Sequence, residues 1–335
     1  MRLVSCFFAR EDHVMINTWK NKRVLITGGT GFIGSFLVEA LLARGAKVRV
    51  PVRSENFRAL SGQQGTFEWM IGDLRDSNYC AELVTGIDHV FHLAACRRNA
   101  EYHATHASQV LHENVRMTHA LIDGLRATKP VPVTFFSTAN IPPQSDVLSL
   151  SKAKTIDGYV LGKSLCELSW FIASRTHDFP LQIIRPVGTY GPRDTFSLDS
   201  NVIPALMYKA KRNTPALTVF GSGAQKRTFL YVEDFAEAVL RLVEANVTGV
   251  QYIHNEEVVT VKHLAEKIRD LVHPGLPIIF NEAKPQGSFS TRLPLHRSLK
   301  NFPWTSLDEG LQKTVDWWRG GQNIEAEASV ALSAR

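Results

Sequence analysis

The stretch RVLITGGTGFIGSFLVEALLARG, residues 23–45, constrains the fold more than any other part of the chain. An unbroken apolar run, Val24 to Ile26, is followed by glycines at 28, 31 and 34, and then by a helical pattern closed by Gly45. A strand apolar on every position needs cover on both faces, as in a parallel sheet. Glycines at such a strand-to-helix turn let the backbone approach a pyrophosphate seated on the helix N-terminus. A bare glycine triplet says little. Between a buried strand and a helix it predicts a dinucleotide site, formed by Gly28, Thr30, Gly31, Phe32, Ile33 and Gly34.

The same alternation continues. KVRVPVR, FEWMI, HVFHLAA, VTFFST and LQIIRPV read as strands, with Pro51 marking an irregular end near a sheet edge. SQVLHENVRMTHALIDGLRAT and YVLGKSLCELSWFIASRT read as long helices between them. The predicted class is α/β, a Rossmann-type doubly wound parallel sheet with a smaller, interleaved C-terminal substrate domain. The expected division is an N-terminal extension over 1–20, with Met15 a natural start, and a nucleotide-binding domain over 21–190 plus about 224–255. A substrate domain is expected over about 191–223 and 256–320, and a flexible tail over 321–335.

Composition excludes several classes. No apolar run approaches the roughly 20 residues of a membrane span, and no Lys/Arg block suggests nucleic acid, although 38 basic residues outnumber 32 acidic ones. Cys6, Cys80, Cys96 and Cys166 show neither metal-ligand nor disulfide spacing, so reduced thiols in a cytoplasmic protein are expected. His103, His106 and His112 lack the carboxylates or cysteines that would complete a metal site, and are expected to be solvated or to stand behind the site.

Three features carry chemistry. The second strand ends in Val52 and Arg53 with no acidic residue before Glu55, and a guanidinium there suits a ribose 2′-phosphate, hence NADP(H). Tyr159 and Lys163 stand four apart on one helix face, where an ammonium can lower the proton affinity of a phenol. Ser137 and Thr138 end the intervening strand.

Together with GDLRD, HLAA, STANI, IIRPVGTYGP and GSGAQKRTFLYVEDFA, these motifs resemble the extended short-chain dehydrogenase/reductases of the NAD(P)-dependent sugar epimerase/dehydratase family, over roughly residues 20–318. NVIPALMYKAK, VFGSGAQKRTFLYVEDFA and KPQGS are most similar to the GDP-fucose synthase group, which epimerises and then reduces GDP-4-keto-6-deoxy sugars. The resemblance implies a hydride-transfer triad of Thr138, Tyr159 and Lys163, with Lys163 also holding the nicotinamide ribose. It implies Asp73 and Leu74 at the adenine, Ala94 and Ala95 beside the cofactor, and Pro186 to Thr189 near the nicotinamide. Lys209, Phe220, Arg227 and Arg292 would grip the nucleoside diphosphate, Val202 would line the sugar, and the family's helices near 108–127 and 159–176 commonly pair into a homodimer.

Two departures matter. Asn140 and Asn201 stand where that group carries a cysteine and a histidine, and no Asp-Glu pair follows Thr138 as in dehydratases. An amide hydrogen-bonds a hydroxyl or keto oxygen but cannot remove a proton α to a carbonyl. The expected activity is therefore NADPH-dependent C4 reduction of a nucleotide-linked 4-keto sugar without epimerisation. A C4 epimerase with retained cofactor and a non-catalytic NADP-binding regulator remain alternatives, and Asn140 and Asn201 could be incidental.

Overall fold

The computed structural model describes residues 18–55, 58–60, 65–97, 100–141, 156–212, 214–284 and 293–320. In the first half, β1 (Arg23–Thr27) runs through α1 (Phe32–Ala43) to β2 (Lys47–Val52), and β3 (Glu68–Ile71) through α2 (Ser77–Leu83) to β4 (His89–His92). Helices α3 (Ala100–Thr105) and α4 (Ala107–Arg126) precede β5 (Val133–Phe136), and α5 (Gly158–His177) precedes β6 (Leu181–Pro186). Then follow β7 (Thr189–Tyr190), α6 (Val202–Lys211), β8 (Leu217–Phe220), β9 (Lys226–Thr228), β10 (Leu230–Tyr231) and α7 (Val232–Glu244). The last elements are β11 (Gly249–Ile253), β12 (Val258–Thr260), α8 (Val261–Val272), β13 (Ile278–Asn281) and α9 (Leu307–Gly320).

Seven strands form the central sheet in the order β11-β6-β5-β4-β1-β2-β3, all neighbours parallel. This is the expected doubly wound class, extended by β11 at one edge. Because side chains alternate along a strand, Val24 and Ile26 pack into the layer holding α1 and α7, and Leu25 into the layer holding α2, α4 and α5. Pro51 pairs with Met70 of β3, beyond the point where the pairing of β2 with β1 ends at Arg49. Its missing N–H therefore removes no bond to β1.

Trp19 belongs to the core. Its indole donates to Glu244 at 2.7 Å and meets His89 edge-on, so the extension expected over residues 1–20 stops short of it. Residues 1–17 of that extension, and the tail over 321–335, lie outside the described residues.

Helices α4 and α5 lie close because α5 carries glycines at the contact. A Cβ on Gly158 would collide with the Ala107 carbonyl, and one on Gly162 would come 3.1 Å from the Leu111 Cα. The bidentate Arg185–Glu167 pair, 2.6 Å at its shortest, ties α5 to β6, and Tyr252 of β11 accepts a further bond from Arg185. Helix α5 thereby has a fixed height against the sheet, and Tyr159 and Lys163 ride on its first turns.

A separate apolar cluster gathers Ile203 and Met207 of α6, Leu264 and Ile268 of α8, and Leu311 and Trp318 of α9. Three strand pairs border it, β8 with β13, β9 with β12 and β7 with β10. Phe196 stacks on Trp318 at 5.3 Å, which seats α9. No helix among the described residues is long and apolar enough to cross a membrane.

Candidate functional site

The candidate site lies along the C-terminal ends of the parallel strands, centred where the order reverses between β1 and β4. That reversal opens a crevice in any doubly wound sheet. Gly28 has φ 73°, and a Cβ there would come 2.9 Å from the backbone nitrogen of Ala94, so the turn after β1 lies directly against the loop after β4. A Cβ on Gly34 would collide with the Gly28 carbonyl. No side chain caps the start of α1 and no acidic residue stands in its first turn, which leaves backbone donors for a phosphate. The Ala94 N–H donates to Thr27 Oγ1 at 3.1 Å, and that hydroxyl meets His92 Nδ1 at 2.8 Å, which fixes the loop carrying Ala94 and Ala95.

Arg53, after β2, is exposed and has no partner among the described residues. One strand further out, Asp73 is bonded by Arg75, which also reaches Glu113, and the Arg75 guanidinium holds the Asp73 carboxyl below its usual range. On the other side of the reversal, the buried Thr189 hydroxyl has no partner among the described residues. An orphaned hydroxyl beyond β6 and an uncapped helix N-terminus fit a nicotinamide dinucleotide.

Thr138 lies two residues past β5, and Tyr159 and Lys163 lie on the first turns of α5. Thr138 is buried, and its Oγ1 accepts from the Asn140 N–H at 3.1 Å. Lys163 is 2% exposed and donates to the Phe136 carbonyl at 2.7 Å, its ammonium 4.6 Å above the Phe135 ring and 6.0 Å from that of Tyr159. Burial lowers Lys163 to about 8 and pushes the Tyr159 phenol up. The opposing downward pull on Tyr159 comes from Arg97, whereas the sequence had assigned it to Lys163. The ammonium is held on the carbonyl that precedes the Ser137-Thr138 pair.

Several residues of the site escaped the sequence reading. Arg97 Nη2 donates to Asn201 Oδ1 at 2.7 Å, spanning from the loop after β4 to the start of α6. Buried Asn114, in mid-α4, binds both the N–H and the carbonyl of Cys96 and so fixes the residue before Arg97. Asp194, in the loop after β7, has one oxygen bonded by the Thr195 N–H and the other buried without a partner among the described residues. Burial raises Asp194 to about 6, with Arg97 opposing. His103 is buried and stacks on Tyr159, so it is not solvated. Only mid-helix Asn114, polar on a stripe that is otherwise apolar but for Thr118, carried a sequence signal.

Lys209 and Phe220 come together, the ammonium 4.1 Å above the ring, with Lys284 5.9 Å from the same ring. Arg227 lies on β9, joined to this corner through Gln225, whose amide donates to the Phe220 carbonyl at 3.0 Å. Burial lowers the proton affinity of both Lys209 and Arg227. Partly desolvated cations beside an exposed aromatic face suit a nucleoside diphosphate. Val202 opens α6 beside Asn201, Asn140 is exposed next to Thr138, and Arg292 lies outside the described residues.

The chain is 28% identical over 318 residues to the dTDP-4-dehydro-6-deoxy-D-allose reductase of Streptomyces sp, covering 90% of this chain and 97% of that one. It is 30% identical over 333 residues to the UDP-N-acetyl-alpha-D-glucosaminuronate decarboxylase of Bacillus cytotoxicus, covering 90% and 99%. In fold it is like the Bordetella bronchiseptica enzyme WbmF in complex with NAD+ and UDP, with a TM-score of 0.76, 23% identity and coverage of 93% and 96%. Residues 24–260, well over half the chain, match one family throughout, and the protein is a member of the NAD dependent epimerase/dehydratase family.

Proposed function

We propose that the protein reduces C4 of a nucleotide-linked 4-keto-6-deoxy sugar with NADPH, without epimerising C3 or C5. The observation that carries this reading is the pairing of Thr138 and Lys163, both buried, and half-buried Tyr159 with amides, Asn140 and Asn201, at the two positions expected to move carbon-bound protons. The relative named as a dTDP-4-dehydro-6-deoxy sugar reductase supports it. NADPH would supply the hydride. Tyr159 donates the proton to the C4 oxygen, Thr138 orients that oxygen, and Lys163 holds the nicotinamide ribose.

Arg53 favours NADP(H) over NAD(H), by its free guanidinium at the end of β2. The strands of the main sheet form the cofactor layer, and the cluster around α6, α8 and α9 forms the sugar-nucleotide lobe. The sequence motifs favour GDP, while the relatives named above carry dTDP or UDP in their names. The test is cofactor stoichiometry with dTDP-, UDP- and GDP-linked 4-keto-6-deoxy sugars. A reductase consumes one NADPH per sugar, and a substrate interconverted with no net consumption overturns the reading in favour of a C4 epimerase.

A further inference from the structure

We propose that His103 is a positioning residue for Tyr159, holding the phenol ring in the plane from which it serves the sugar carbonyl. The imidazole lies face to face with the phenol, ring centroids 5.0 Å apart and planes 14° from parallel. His103 is 6% exposed, so the contact is part of the interior and not a surface encounter. Its Nδ1 lies 3.8 Å from Asp157 Oδ1, and that same oxygen accepts the N–H of Tyr159 at 2.9 Å and of Val160 at 3.1 Å. One carboxylate thus caps the start of α5 and lies beside the ring that covers Tyr159.

This bracket answers a mechanical need. Tyr159 is the second residue of α5, and its ring turns about two side-chain bonds. Asp157 fixes the backbone at the root of the side chain, but only a flat neighbour can fix the ring itself. Proton transfer is intolerant of misplacement, a 1 Å error costing on the order of 100-fold. The groups whose charge reaches His103 are Asp157, which favours the imidazolium, and Arg97, which together with burial disfavours it. The stacked ring is accordingly the neutral imidazole, which adds no charge beside the phenol.

The inference rests on Tyr159 as the proton donor of the proposed reduction, and its test separates the two. Full-length His103→Leu keeps a similar volume without a planar face, and His103→Phe keeps the face without a titratable group. The first readout needs no substrate: Tyr159 ring signals in 13C-tyrosine-labelled protein, assigned by their loss in Tyr159→Phe. His103→Leu is expected to move these signals downfield as the stacked ring's shielding is lost, and His103→Phe to leave them upfield. The second readout is kinetic. His103→Leu is expected to lower kcat at least about tenfold with KM for NADPH within about twofold, and His103→Phe to stay within about threefold of the unaltered protein.

Unmoved ring signals in His103→Leu, or moved signals with kcat unchanged, overturn the proposal. Equal losses in both variants also overturn it, since they point to packing alone. Should the unaltered protein turn over none of the sugars, the reduction itself fails, and the ring signals still decide whether His103 holds Tyr159.

Discussion

Arg97 donates to the side-chain oxygen of Asn201 at 2.7 Å, joining the loop after β4 to the first residue before α6. The amide is therefore an acceptor for a guanidinium, and a protonated base at 201 would repel that charge. Asn201→Ala should leave Arg97 without this anchor. The loss of one exposed, charge-assisted bond, about 1 kcal/mol, corresponds to a KM for the nucleotide sugar raised roughly fivefold. Steady-state kinetics should find kcat and NADPH affinity within about twofold of the original.

Tyr159→Phe removes the proton donor while keeping the ring against His103. Removal of a general acid costs about 100- to 10,000-fold in kcat. Fluorescence titration should find NADPH affinity unchanged, since the hydroxyl is directed to the sugar. A biological role left intact in Tyr159→Phe despite the lost turnover would point to a non-catalytic role for the fold.

Lys163, lowered to about 8 by burial, carries its ammonium below that pH and loses it above. Cofactor binding that uses the ammonium should take up a proton above about pH 8 and weaken as the pH rises further. Calorimetry in two buffers of different ionisation enthalpy reads the proton uptake. Lys163→Met should abolish the uptake along with most of the affinity.

Asp194 gives the opposite pH dependence from a paired carboxylate. Its folded-state value, about 6, lies above the ordinary 3.8, so the folded protein binds the proton more tightly than the unfolded chain. Stability is then lost as the pH rises from about 4 through 6, and the penalty is fully present above. Asn keeps an oxygen for the Thr195 N–H and carries no charge. Asp194→Asn should therefore melt higher than the original at pH 8, with the gap closing as the pH falls from about 6 to 4.

What was legible in the sequence was local. The glycine turn, the Tyr159–Lys163 spacing and the Thr138 strand end each lie within a few residues, and each sits where the alternation of strands and helices put it. What was not legible joins distant segments. Arg97 and Asn201 stand 104 residues apart, and their bond depends on how the α6 start approaches the loop after β4. For His103 the sequence left two places open, solvated or behind the site, and the turn of α3 decides between them by sending its ring inward against Tyr159 while Thr105 and His106 stay exposed. The Lys163 ammonium was expected at the phenol, but the depth of α5 against the sheet brings it to the Phe136 carbonyl.

Helix α5 presents Leu168, Phe171 and Ile172 at 49%, 51% and 56% exposure, one apolar patch at helical spacing. A second copy of the chain is the expected cover. Light scattering should give twice 37.4 kDa, and Ile172→Asp should give 37.4 kDa with the melting temperature little changed. A single-chain mass for the unaltered protein contradicts the dimer.

The central claim is that amides at 140 and 201 limit the chemistry to reduction. The direct measurement is turnover of the nucleotide-linked 4-keto-6-deoxy sugar with NADPH in deuterated water, with the product examined by NMR. The account predicts a C4 alcohol with no deuterium at C3 or C5. Deuterium at either carbon would contradict it, and would turn attention to Asp194 as the base.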